Sequence, residues 1–76
     1  MMDWQPIESK MFTAAAYDST RHILYLRFTS GEVYRYFEFP ATQYWEFLQA
    51  ESRGRYFLSH IRDLFPYERL AKLHVA

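Results

Sequence analysis

No cysteine occurs in the 76 residues, so disulfides do not hold this short chain together. The three histidines have no acidic partners at metal-ligand spacing, and no structural metal takes the disulfides' place. Nine basic and nine acidic residues cancel, so no global field draws the chain onto nucleic acid or a membrane. No apolar run approaches the roughly 18 residues of a membrane span. No basic-then-apolar leader opens the sequence, which makes a cytoplasmic address the expectation. Linkers, repeats and low-complexity segments are also missing, and residues 1–76 read as one domain. A chain of this length hides only about 60% of its unfolded surface.

Aromatic residues make up the shortfall. Seven Phe, seven Tyr and two Trp are 21% of the chain. Each such ring buries roughly 150–250 Å², enough to build a core from few residues and to argue against disorder. The chain is organised around His22 to Phe37. Apolar and polar residues alternate there, break at Thr29-Ser30-Gly31, and alternate again. That pattern predicts a β-hairpin.

Register decides which side chains share a face. A three-residue loop with Gly31 left-handed in a G1 bulge pairs Phe28 with Glu32, Leu26 with Tyr34, and Leu24 with Tyr36. Leu24, Leu26, Phe28, Tyr34 and Tyr36 then form the core face. Ile23, Tyr25, Arg27, Val33, Arg35 and Phe37 form the other. A two-residue turn would slide Arg35 opposite Leu26 and bury a charge among leucines, so the longer loop is preferred.

The rest of the chain packs onto this hairpin. Residues 1–6 read as an irregular lead-in. Met11–Tyr17 reads as a first strand, ended by a turn at Asp18-Ser19-Thr20, and its alanines would let a helix approach closely. Pro40 suits a helix start. Tyr44, Phe47, Leu48 and Glu51 follow at helical spacing, with Trp45 beside the stripe. Ser52 is a candidate N-cap for a second helix carrying Phe57, Ile61 and Leu64, with Arg53, Arg55 and Arg62 towards solvent. Tyr67–Ala76 is either a short closing helix or a docked tail. The expected fold is α+β: a three-stranded antiparallel β-meander with two short helices packed on one face. Its core spans about residues 7–70, and 71–76 form a tail.

Placed in order, several motifs resemble the KTSC domain, a short module found at the C-terminal end of some lysyl-tRNA synthetases and as stand-alone bacterial proteins. They are Tyr17-Asp18; Leu24-x-Leu26-x-Phe28-x-x-Gly31; Tyr34-x-Tyr36; Phe39-Pro40; and Ala50-x-Ser52-x-Gly54-x-Tyr56-Phe57-x-x-x-Ile61. Lys10 and Leu58 depart from the family pattern, which often has serine and asparagine there. The resemblance implies an accessory domain with no established catalytic activity, for which RNA binding has been suggested.

Two surfaces are candidate sites. Tyr25, Arg27, Arg35 and Phe37 interleave aromatic and basic groups on one sheet face, as single-strand RNA binders do. Arg53 and Arg55, flanking a helix start, would extend a phosphate track. Tyr34 and Tyr36, the family's paired tyrosines, are assigned to the core. Ser59 and His60 point about 100° apart on a helix and form no nucleophile–base pair. The expectation is therefore a non-enzymatic domain without cofactor or metal, binding tRNA or single-stranded RNA. The alternative is a protein contact or homodimer, since Ile23, Tyr25, Val33 and Phe37 would leave an apolar patch open.

Overall fold

A computed structural model describes residues 3–70. The tail 71–76, with His74 in it, lies outside the described residues. The elements are β1 (Gln5–Pro6), β2 (Phe12–Asp18), β3 (Ile23–Phe28), β4 (Val33–Tyr36), α1 (Ala41–Gln49), α2 (Arg53–His60) and β5 (Tyr67–Leu70). The strands form one sheet in the order β1-β2-β3-β4-β5, and every neighbouring pair is antiparallel.

The sheet thus has five strands where the sequence suggests three, although the class remains α+β. Both additional strands lie at edges, where alternation is weak. β1 has two residues and contains a proline, too little for a period-two signal, and it falls in the supposed irregular lead-in. β5 reads Tyr-Glu-Arg-Leu and is mostly exposed, so no buried face marks it. All four of its residues fall in Tyr67–Ala76, which the sequence suggests as a short closing helix or a docked tail. What holds it is β4, paired with it across both helices.

The central hairpin has the preferred register: Leu24 opposite Tyr36 and Leu26 opposite Tyr34. Gly31 N–H donates to the Phe28 carbonyl at 2.9 Å and Phe28 N–H to the Glu32 carbonyl at 2.8 Å. Gly31 has φ of 95°, the left-handed conformation that glycine adopts without a Cβ penalty.

The first long strand, β2, carries an irregularity between Phe12 and Ala14. Ala15 lies opposite Leu26 on the core face, so strict alternation would put Thr13 inside and Phe12 outside. The extra residue at the bulge reverses this and turns Phe12 inward. Phe12 is fully buried, with ring centroids 4.9 Å from Phe28, 5.8 Å from Phe47 and 5.3 Å from Phe57.

Both helices pack on this face, over Phe12, Ala15, Leu24, Leu26 and Tyr36. Phe47 from α1 and Phe57 from α2 are the buried anchors, with Ile61 just past the second helix. Ser52 Oγ accepts from Arg55 N–H at 3.2 Å and caps α2. Pro40 opens α1 without a side-chain cap. Leu64 is exposed rather than part of the apolar stripe, and Trp45, beside the stripe of α1, is exposed as well.

Leu26→Ala should cost about 2–5 kcal/mol, and urea unfolding should show a midpoint far below the parent's or no folded baseline. Gly31→Ala, forced to keep a positive φ, should cost about 1 kcal/mol or more while leaving the far-ultraviolet circular dichroism unchanged.

Candidate functional site

Alternation places Tyr25, Arg27 and Arg35 on the sheet face away from the helices, and Phe37 continues that row. All four are half-buried. Trp4, just before β1, joins them. Its ring meets Tyr25 edge-on at 6.3 Å, and the Arg27 guanidinium lies 4.8 Å over the Trp4 ring. Arg35 lies 5.3 Å over Phe37, and its Nε donates to Glu68 Oε1 at 2.7 Å. Hydrogen bonds to Tyr25 first, and to Glu68 second, raise the Arg35 guanidinium further above its ordinary value. The face is a row of rings with guanidiniums laid on them, an arrangement stabilised by the ring quadrupoles.

Arg53 and Arg55 do not continue this row, because α2 covers the opposite side of the sheet. Arg53 also turns away from solvent. Its Nη2 donates to the Leu48 carbonyl at 2.7 Å, and its Nε is buried without a partner among the described residues. Arg55 is exposed, but the Ser52 hydroxyl is engaged as a plain helix cap. Within the expected apolar patch, Ile23 is 7% exposed and Val33 6%, while Tyr25 and Phe37 remain half-buried.

Sequence reasoning missed a second surface, on the helix side. Tyr36 is buried, but Tyr34 only flanks the core. Tyr67 of β5 stands 5.9 Å from both rings. With Phe28, Phe57 and Leu58 these tyrosines line a groove of about 420 Å³, rimmed by Glu32, Arg62 and Asp63. The missing signal is Tyr67, which the sequence places in a closing helix or tail. Burial first, then the neighbouring Tyr34 and Tyr67, lifts the Tyr36 phenol well above the tyrosine range.

Among the described residues, no three His, Asp or Glu side chains gather as metal ligands. No helix there is long and apolar enough to cross a membrane.

Residues 8–65 match the family model of the KTSC domain. The chain belongs to the KTSC family. KTSC domains are non-catalytic accessory domains. A protein of Tsukamurella paurometabola is 43% identical over 61 residues, covering 80% of this KTSC chain and 91% of its own length. Lysine–tRNA ligases of Nostoc sp. and Trichormus variabilis are 39% and 44% identical, over 84% and 72% of this chain. The matched regions are only 11% and 10% of those two ligases. The crystal structure of a KTSC domain protein from Yersinia pestis superposes with a TM-score of 0.90 at 27% identity, covering 93% of this chain and all of that one.

The tyrosines of this KTSC domain make its stability pH-dependent. Tyr17, Tyr36 and Tyr44 are raised above the ordinary 10.0, all chiefly by burial. Tyr56 is pushed up to about 12 by burial and then by its hydrogen bond to Glu46. A raised phenol stays protonated in the native state while the unfolded chain ionises. Its contribution is full below pH 10.0 and lost as pH rises through the raised values, about 12 for Tyr56. An alkaline titration of phenolate absorbance should therefore show two phases, the later one accompanying loss of near-ultraviolet circular dichroism. A single phase at the ordinary value with the fold intact would contradict this.

Proposed function

We propose that this KTSC domain is an accessory module that binds single-stranded RNA, including the unpaired regions of tRNA, through the helix-free sheet face. The observation that carries the reading is the continuous row of Trp4, Tyr25, Arg27, Arg35 and Phe37. Any base offers a π-face to such rings, so stacking there is tolerant of sequence. Guanidiniums already seated on the rings can turn their outward N–H groups to phosphate. The likeness to two lysine–tRNA ligases supports an RNA setting. Arg53 and Arg55 have no part in this face.

The charge available is small. With two guanidiniums neutralising two phosphates, raising salt from about 50 to about 200 mM should weaken single-strand binding about sevenfold. Tyr25→Ala should remove a stacking platform worth about 1–3 kcal/mol. Fluorescence anisotropy of labelled oligouridylate and of tRNA, at both salt concentrations, measures each effect. Failure to bind either RNA at the lower salt would remove the proposal. Salt-insensitive binding would leave stacking and discard the phosphate contacts. Sedimentation at rising concentration tests whether the same face instead pairs with a protein or a second copy.

A further inference from the structure

A second concavity lies at the other edge of the sheet, where α1 meets β1 and β2. Its volume is about 500 Å³, within the range that holds small ligands. Tyr17 of β2, Tyr44, Trp45 and Leu48 of α1, and the exposed Asp3 and Ser19 line it. The RNA reading makes no use of this pocket.

Its walls are mainly rings. Tyr17 and Tyr44 stack with centroids 4.9 Å apart and planes 16° from parallel. That spacing leaves no room between them, so a ligand meets the outer side of the pair. Trp45, next to Tyr44 in sequence, is 62% exposed. Indole is the aromatic side chain whose face attracts a cation most strongly.

The electrostatics are one-sided. Asp3 is the only charged residue lining the pocket. Asp18 follows Tyr17, and burial first, then the Asp18 carboxylate, raises the Tyr17 phenol. Negative charge is therefore felt at that ring. On the RNA face the rings carry the protein's own guanidiniums, Arg27 over Trp4 and Arg35 over Phe37. Among the described residues no cation lies over Tyr17, Tyr44 or Trp45. Ring faces and a carboxylate without a resident cation fit a positively charged ligand.

Hydrogen bonding narrows the cation. The Tyr17 hydroxyl already donates to the Phe39 carbonyl. Asp18 Oδ1 already accepts from the Thr20 and Arg21 N–H groups at 3.0 and 3.1 Å. An entering primary ammonium or guanidinium would lose water from several N–H donors, with Asp3 alone to receive them. A quaternary ammonium has no N–H to satisfy. We infer that this pocket binds a quaternary ammonium group, carried by a small molecule of the choline type or by a trimethylated lysine. Its methyl groups lie against Trp45 and the tyrosine pair, and Asp3 balances the charge from the mouth.

Choline and its uncharged carbon isostere dimethylbutanol, titrated separately into the ¹⁵N-labelled domain at constant ionic strength, test the proposal. Choline should shift the amides of Tyr17, Ser19, Tyr44 and Trp45, and bind about tenfold more tightly than the alcohol. Trp45→Ala, at an exposed position, should weaken choline about fivefold or more with the fold retained. Asp3→Asn should weaken it about twofold. A trimethyllysine peptide that binds more tightly than choline identifies a protein side chain as the source, and the reverse identifies a small molecule. Trp45→Ala should leave oligouridylate affinity unchanged, so this inference and the RNA reading fail separately. Equal affinity for the alcohol, or no pocket shifts at high-millimolar choline, would overturn the proposal. So would full choline affinity in Trp45→Ala, or an unmethylated lysine peptide binding as tightly as the methylated one.

Discussion

Phe12 is where the sheet and both helices meet. Its ring touches Phe28 of the neighbouring strand, Phe47 of α1 and Phe57 of α2. Edge-to-face and tilted aromatic contacts add about 0.5–1.5 kcal/mol each beyond buried area, and three of them converge on one residue. In a chain without a disulfide, this cluster does the work of a staple. It exists only because the bulge in β2 turns Phe12 inward. One inserted backbone residue thus decides whether the two helices share an anchor on the sheet.

The central hairpin was legible because two independent constraints agreed. Gly31 set the loop length, and the penalty for burying Arg35 set the register. The same holds for α2, whose cap and apolar spacing pointed to one start. The edges were not legible. β1 is too short to alternate, and Tyr67–Leu70 exposes most of its side chains on both faces. Local pattern carries no information about a partner strand lying on the far side of two helices. The two central tyrosines differ for the same reason: α2 covers Tyr36, whereas Tyr34 packs against the core from its margin.

The candidate residues divide in the same way. Tyr25, Arg27, Arg35 and Phe37 share a face because strand alternation guarantees it once register is known. Whether helix residues reach that face depends on which side the helices cover, and the leucines decide this. Arg53 and Arg55 are linked to the row only by charge and by the helix start they flank, neither of which fixes a side of the sheet. In the fold, the sheet separates them from it, and Arg53 closes the carbonyl end of α1 instead.

β5 is tied to the sheet by contacts that are distant in sequence. Arg35 with Glu68 and Glu32 with Arg69 link positions 33 and 37 apart, and both pairs are exposed enough to be weak. Contacts that close long loops form late in folding, after the hairpin and helices have shortened the search. Such an edge is also where native proteins open first. Because Tyr67 forms one lip of the groove, detachment of this strand dismantles the groove while the Phe12 cluster stays intact. A substitution that loosens this edge therefore reshapes the groove before it reaches the core.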